Sequence, residues 1–482
     1  MATRNVLPSI FHRLKSTAAA PITAAPQLVS PPQLQNTPST NNDQPIIINL
    51  ENHKELFSSV STPKLIKSSI TLYMSSVEPM VDLGMWVMNS KMMETPILRD
   101  IILVGVEHSF FKHFCAGKDL KEAGETVGKL WDGAKIRAML DYGLEHADGN
   151  ESCDRNLEEF VRTIESTTSQ PSSPVSFVVV KITAICPPNL LKRVSDLLRW
   201  EYKDKSLHLP WKLKTFQIFA NSSPLYHTPT KPEPLTPQEE HDLESAYQRL
   251  STICEKSLQA NIPLLFDAED TSIQPAIDYF TYSAAIKYRK DDGPLLYNTI
   301  QAYLADAKER LVIAKKSADE MGVSIGFKLV RGAYMSSEEK LASSLGVKSP
   351  IHGSIEGTHA CYNQCASFML QEIANGSGSV VLATHNLESG KMAATKASDI
   401  GIKRDNPNLQ FAQLYGMAEA LSFGLRNAGF RVSKYLPFGR VDQIIPYLLR
   451  RAEENRGLLS TSLLDRQLMR KEILGRLKSS SF

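Results

Sequence analysis

Toward the end of the chain, Tyr447, Arg450, Arg451 and Glu454 stand at i, i+3, i+4 and i+7 in Tyr-Leu-Leu-Arg-Arg-Ala-Glu-Glu, the spacing of one helix face. Adjacent guanidiniums repel, and each offers a planar fork of N–H donors, so the face suits a small carboxylate or phosphate. A solvated face with an i,i+4 ion pair has the same composition; the rest of the chain decides between the two. Lys181 interrupts the apolar run Val-Val-Val-Lys-Ile-Thr-Ala. In a strand buried on both faces, such an ammonium needs a carboxylate such as Asp267 or an anionic ligand. Asp267-Ala-Glu269-Asp270 reads as paired carboxylates or a metal site, but with three cations expected nearby, orienting one of them is the simpler role for Asp267. Lys328-Leu-Val-Arg331-Gly332-Ala333-Tyr334 closes a run with a cation, a tyrosine and a glycine that lets a flat ligand approach the backbone. Thr384, His385 and Asn386 give three adjacent hydrogen-bonding side chains.

What must position them is a repeating pattern. Short apolar or β-branched runs alternate with amphipathic helical stretches, near 138–143, 177–184, 263–268, 297–304, 326–333, 380–385, 409–416 and 431–436. Eight such units predict an α/β fold, a (β/α)8 barrel whose chemistry sits at the carboxyl ends of the strands. The polar residues fall there: Lys181, Asp267, Gln301, Lys328, Arg331, His385, Asn386, Gln413 and Tyr435. Strand interiors otherwise read as apolar. The stretches 209–237 and 343–357 read as loop insertions. No Gly-x-Gly-x-x-Gly follows a strand and no Gly-x4-Gly-Lys-Ser/Thr occurs, so a dinucleotide would have to bind at the barrel mouth.

Composition narrows the class. The 482 residues are 42% hydrophobic and 22% charged with a formal charge of +2 and no dense basic block, which gives nucleic acid no electrostatic footing. No apolar run reaches a membrane span. Six scattered cysteines suggest a reducing compartment, and the nearest thing to a ligand cluster, His359 with Cys361 and Cys365, lacks the second pair that a zinc site needs, so no metal is expected. The first 42 residues contain no Asp or Glu and carry Arg4, Arg13 and Lys15 among Ala, Ser, Thr and Pro. That composition reads as a transit segment over 1–45, mitochondrial before chloroplast. A helical arm is expected over 46–132, the barrel over 133–460, and a basic amphipathic helix over 461–482 that could rest on an anionic membrane or pack on the barrel.

Taken in order, Lys-Ile-Thr-Ala, Asp-Ala-Glu, Thr-Ile-Gln-Ala-Tyr-Leu, Lys-Leu-Val-Arg-Gly-Ala-Tyr, Ala-Thr-His-Asn, Gln-Leu-Tyr-Gly-Met, Tyr-Leu-Pro-Phe-Gly and Tyr-Leu-Leu-Arg-Arg-Ala-Glu-Glu-Asn, from Lys181 to Asn455, resemble the proline dehydrogenase family, and its plant mitochondrial members in particular. The resemblance implies a distorted barrel that binds FAD without a Rossmann domain and oxidises L-proline to pyrroline-5-carboxylate, with a quinone as acceptor; peripheral association of the basic terminal helix with the inner membrane would suit that acceptor. It implies that Lys181, Arg450 and Arg451 bind the substrate carboxylate, with Asp267 steadying the arginines. Tyr435, Leu414 and Tyr334 would enclose the ring, and Glu454 matches a family position on the helix face. Gln301, Lys328, His385 and Asn386 would contact the flavin, with Arg331, Gly332, Ala333, Thr384 and Gln413 lining its site. Lys328 stands where many bacterial relatives have Arg, and Tyr435 matches the proline-preferring branch, whereas hydroxyproline-preferring relatives carry a smaller residue. Two rivals remain: a lyase or aldolase with a Schiff base on Lys181 or Lys328, and an amino-acid-binding barrel without flavin.

Overall fold

The computed structural model describes residues 48–479 apart from 89, 145, 146, 170–173, 291 and 458, and for 169 and the rest of 453–461 the backbone alone. The expected transit stretch lies outside the described residues. Eight strands, β1 Arg137–Tyr142, β2 Val175–Val180, β3 Leu264–Phe266, β4 Leu296–Gln301, β5 Gly326–Val330, β6 Val380–Ala383, β7 Leu409–Leu414 and β8 Val432–Phe438, form a closed parallel barrel. Each falls on one of the eight expected runs, because β-branched and aromatic residues fit a pleated, fully covered surface. β2 stops before its expected end: Ala184 N–H bonds back to the Lys181 carbonyl at 3.0 Å, a tight turn that leaves Lys181 at the strand exit.

The pleat decides what enters the barrel. Met139, Phe177, Val179, Leu265, Tyr297, Val381 and Ala412 form the inner core. Two residues further along β1, β2 and β3, on the same inward parity, come Asp141, Lys181 and Asp267. The core is filled tightly enough that a Cβ at Gly326 would come within 2.1 Å of the Tyr297 ring, so the start of β5 is glycine for lack of room. Strand interiors are less uniformly apolar than expected: Asp141, Asn298, Gln410, Ser433 and Lys434 are all buried. Outward-facing members are met by polar groups of the covering layer, as where Asn298 donates to Asp278 at 2.8 Å and Lys434 pairs with Glu419 at 3.1 Å.

Helices longer than one turn are numbered in chain order. The arm supplies α1 Thr62–Ser76, α2 Glu78–Met88, α3 Pro96–Val106 and α4 Leu120–Ala134. The outer layer is α5 Asn150–Ser166, α6 Pro188–Lys203, α7 Pro237–Ala260, α8 Gln274–Lys287, α9 Ala307–Glu320, α10 Met335–Ser344, α11 Ile355–Ala374, α12 Leu387–Asp399 and α13 Glu419–Asn427, followed by α14 Val441–Gly457 and α15 Leu459–Ser479. Their limits follow the capping rules: Asp119 accepts the Glu122 N–H at 2.9 Å to open α4, and Lys135 closes it at φ 51°. Thr236 and Glu239 exchange bonds at 3.2 and 2.8 Å to open α7.

Between α3 and α4 the chain reaches the barrel mouth. Phe111, Phe114 and Cys115 pack with Met417, Val441, Ile444 and Tyr447 in one cluster. His113 Nε2 donates to the Gly416 carbonyl at 2.9 Å, and Ala116 N–H donates to the Pro437 carbonyl at 2.8 Å. Gly416, at φ 76°, admits this close approach, since a Cβ there would meet the His113 carbonyl oxygen at 2.4 Å. The arm thereby braces α14, the helix that carries the arginine pair.

The terminal helix differs from the expected amphipathic form. It begins at Leu459, and its apolar residues point both ways: Leu468 and Met469 are buried while Leu463, Leu474 and Leu477 are exposed. The physical reason is that one side is seated on the arm, where Glu472 accepts from His53 Nδ1 at 2.8 Å and Arg476 donates to the Phe57 and Val60 carbonyls at 2.8 and 2.7 Å.

Candidate functional site

At the carboxyl ends of β1, β2, β3, β5 and β8 lies a compact charged floor. Lys181 Nζ donates to Asp141 Oδ1 at 2.9 Å, Asp267 Oδ2 at 2.7 Å and the Tyr435 hydroxyl at 2.9 Å. The Tyr435 O–H donates in turn to Asp267 Oδ2 at 2.7 Å, and Lys328 Nζ takes the second oxygen, Oδ1. Asp267 is therefore a bridge between two lysines and a tyrosine, and the cations it holds are strand-borne. Both ammonium groups also lie against the Tyr435 ring, at 5.6 and 5.4 Å from its centroid.

Burial opposes ionisation of both carboxyls, but the outcomes diverge. At Asp267 the neighbouring Lys181 and Lys328 overcome burial and hold the carboxyl well below the usual range. At Asp141, burial prevails over the single attraction of Lys181, and the nearby Asp267 charge adds to it, so its carboxyl is pushed up. The Tyr435 phenol is pushed up by burial and by both carboxylates, which keeps it a neutral donor. Glu269 is not the second half of a catalytic carboxylate pair: it turns aside to accept from Thr183 Oγ1 at 2.7 Å.

The remaining strand ends form a rim rich in donors. Gln301 is buried and donates to the Glu269 carbonyl at 2.7 Å. Arg331 fans out to Thr384 Oγ1 at 2.7 Å, Ser389 Oγ at 2.8 Å and His359 Nδ1 at 3.0 Å, with its guanidinium 4.5 Å from the Tyr362 ring; it ties β5 to β6 and α11. Gln413 accepts from Ser422 Oγ at 2.8 Å, and Asn386 caps α12 by accepting the Ser389 N–H at 2.8 Å. His385 Nε2 accepts the Leu414 N–H at 3.1 Å, so the ring proton sits on Nδ1. Burial, with Lys434, Arg451 and Arg331 around it, lowers its pKa to about 3 and keeps the ring neutral.

After β5, Gly332 and Ala333 are exposed at the surface, and Tyr334 opens α10. Gly332 adopts φ 140°, and a Cβ there would strike the Tyr303 ring at 2.2 Å. Its immediate need is thus the protein's own tyrosine. α10 is anchored by the buried Glu338, which accepts Thr271 N–H at 2.6 Å and Thr271 Oγ1–H at 2.5 Å.

On α14, Tyr447 and Arg451 stack across i,i+4 at 5.0 Å, and both are buried; Arg450 is half-buried. Arg451 faces the barrel closely enough for its charge to act on His385. Leu414 and Tyr435 are register partners on β7 and β8, both half-exposed at the mouth. The Glu454 side chain lies outside the described residues. Sequence reasoning missed Asp141, whose only signal is a lone acid in an apolar strand, and Glu338, whose partner lies 67 residues away.

The residues present fit a flavin. A neutral imidazole with an N–H on Nδ1, the Lys328 ammonium and a rim amide at Gln301 offer donors to electron-rich ring oxygens, beside the exposed backbone of Gly332 and Ala333. The arrangement speaks against a Schiff base, because both candidate lysines are ion-paired with Asp267, whereas that chemistry begins with a free amine lone pair.

A family model described as Proline dehydrogenase matches residues 123–462. Proline dehydrogenase 2, mitochondrial, of Arabidopsis thaliana is 52% identical over 98% of this chain and 98% of its own length. Proline dehydrogenase 1, mitochondrial, of the same plant is 56% identical over 89% of this chain and 87% of its own length. A hydroxyproline dehydrogenase of Bos taurus is 34% identical over 77% of this chain and 81% of its own length. Among solved structures, proline utilization A of Bdellovibrio bacteriovorus inactivated by N-propargylglycine superposes with a TM-score of 0.60 at 18% identity over 85% of this chain, which spans 41% of that protein, and bears on the fold alone. With a family match over most of the chain and two plant relatives above half identity, the chain belongs to the proline dehydrogenase family.

Proposed function

We propose that this chain oxidises L-proline to (S)-1-pyrroline-5-carboxylate, the first step of proline catabolism, in the mitochondrion. The observation that carries the reading is the Lys181–Asp267–Lys328 bridge under Tyr435, built at the strand ends where a barrel does its chemistry. FAD, when bound, accepts the hydride that leaves C5 of the substrate, and a quinone takes the electrons onward.

The chain's own residues bind and orient. Arg450 and Arg451 take the substrate carboxylate from α14, with Lys181 below it, and fixing that group at one end sets the ring in a single pose. Tyr435, Leu414 and Tyr334 form the walls of the ring pocket, and Tyr435 leaves less room for a ring hydroxyl, so proline is preferred to 4-hydroxyproline. The cationic surroundings favour the neutral amine, whose lone pair becomes the C=N bond as hydride departs. Gln301, Lys328, His385 and Asn386 contact the cofactor, with Arg331 to Tyr334, Thr384 and Gln413 around it; Glu454 lies on the same helix as the arginines. The domain reading is a transit segment over 1–45, an arm over 46–132, the catalytic barrel over 133–460 and a terminal helix that serves peripheral attachment to the inner membrane.

The test is an anaerobic visible spectrum of the purified protein before and after proline. A flavin band that bleaches with proline is the expected result. A colourless protein that FAD does not reconstitute overturns the reading, and trapping of a substrate adduct by borohydride returns the lyase or aldolase.

A further inference from the structure

One helix of the arm is apolar on every side. α3 carries a single base and a single acid, Arg99 and Asp100, which neutralise each other at 3.6 Å; the rest of it, Pro96-Ile-Leu and Ile101-Ile-Leu-Val-Gly-Val, is apolar. A helix of that composition belongs between two apolar surroundings, and among the described residues the protein supplies one of them. The later turns of α3 reach the barrel mouth. There Leu103, Val106 and Phe110 pack against the cluster of Phe111, Phe114 and Tyr447, which also takes in Leu414, the proposed wall of the ring pocket. The first turns stand clear of that cluster: every residue from 96 to 101 is exposed, and Ile97 and Ile101 keep 73% and 64% of their surface in solvent. Toward the mouth the helix leaves through one π turn, Glu107–Phe111, a widened backbone that recurs at functional sites. α3 is thus an apolar track, about 16 Å long for its 11 residues, that runs from open surface to the mouth.

A contiguous apolar surface that leads into a reaction site marks the path of a ligand. We propose that α3 is the track for the tail of the quinone acceptor: the polyisoprenoid chain lies along Ile97, Leu98 and Ile101, and the ring enters past Leu103 and Phe110 to stand beside Leu414. The build of the acceptor selects this arrangement. Its small polar ring must come to the barrel mouth, while its long apolar tail must lie elsewhere, away from the charged floor of Lys181, Asp267 and Lys328. An anionic bilayer finds no net charge on α3 to attract it, and a second copy seated on the first turns would not need a track that continues inward. The exchange balances. Proline gives up a hydride from C5 and the proton on its nitrogen, and the quinone takes up those two electrons and two protons and leaves as the quinol. The inference deepens the proposed function by placing its acceptor, and it rests on the quinone reading given there.

The test uses the full-length, flavin-loaded protein in vesicle-free buffer, with two benzoquinones of identical ring, one bearing a decyl tail and one without. In a calorimetric titration made without proline, wild type is expected to bind the tailed quinone about tenfold more tightly, with the same ratio in KM. Ile97→Ser with Ile101→Ser should raise both Kd and KM for the tailed quinone about tenfold, while the constants for the tailless quinone and the bleaching of the flavin by proline stay unchanged. Leu474→Ser, at an exposed leucine of α15, should alter none of these. Equal affinity of wild type for the two quinones overturns the proposal, as does an Ile97→Ser, Ile101→Ser protein that binds the tailed quinone as wild type does. If that double variant loses vesicle binding or self-association but keeps its constants for the tailed quinone, the face belongs to a bilayer or a second copy and the proposal is overturned. Failure of proline to bleach the flavin counts against the proposed reaction instead, and the titration still reads the track because it contains no proline.

Discussion

The barrel floor and helix α14 both bring cations to one mouth, but on different terms. On the floor, Lys181 and Lys328 meet Asp141 and Asp267 within a closed set of hydrogen bonds. Two positive groups stand against two carboxyls, so the floor fixes geometry and adds little net attraction for an anion. The arginines come from a helix held by the arm through Phe111, Phe114 and Tyr447, and the Arg451 charge reaches across the mouth to His385, where it adds to burial and Lys434 in keeping the ring neutral. Shape is therefore set by the strands and attraction by the helix.

That division can be broken most severely at Asp267. Asp267→Ala leaves two buried ammonium groups without their shared counter-ion, and loss of one partner from such a pair costs about 3–5 kcal/mol. The expected result is a large fall in the denaturant midpoint together with loss of proline-dependent bleaching; a variant as stable as wild type would mean the floor is not braced by this carboxylate. Arg451→Ala should do the reverse, raising KM for proline by about 100-fold for the loss of a charge-assisted bond while the melting temperature stays nearly unchanged. Equal damage to stability and KM would erase the distinction between floor and helix.

Tyr435→Phe removes one hydroxyl that joins Lys181 to Asp267. A drop in kcat/KM of about tenfold follows from one hydrogen bond, and steady-state kinetics would read it. The smallest effect is in pH. His385, with its pKa lowered to about 3 from the usual 6.5, takes up its proton more readily in the unfolded chain, so its contribution to stability grows as pH rises through that window and is lost as pH falls. Arg451→Ala should move the His385 titration upward, because burial remains but one repelling cation is gone; nuclear magnetic resonance of the imidazole would detect an unmoved pKa, which would take Arg451 out of the mouth.

The barrel was legible in the sequence because each strand is a run of residue types that only a doubly covered strand accommodates, and the runs recur eight times. The Tyr447–Arg451 contact followed from helix spacing alone, since i and i+4 must meet. Of the pairings between elements, Lys181 with Asp267 is legible, because a buried ammonium calls for such a carboxylate; the others carry no local sign. A lone Asp141 in Met-Leu-Asp-Tyr has no local sign that Lys181 awaits it, and nothing in the stretch around Asp267 names Lys328 as a second cation on the same carboxylate. Gly332 leaves room in the structure for the ring of Tyr303, a residue just past β4 to which nothing in the stretch around Gly332 points.

Closure of the barrel between its first and last strands has a consequence in time. Lys181 touches Asp141, 40 residues before it, and Tyr435, 254 residues after it, while β1 pairs with β8 along Arg137 to Tyr142. A chain emerging from the ribosome can form β1 to β7 and still lack the hydroxyl and the arginine helix, because both follow the final turn of the barrel. Long-range closure of this kind is a late, slow event in folding. The pocket is consequently a record of completed folding: an unfinished chain has the lysines in waiting, and the Tyr435 hydroxyl and the arginine helix arrive only with the segment that follows β7.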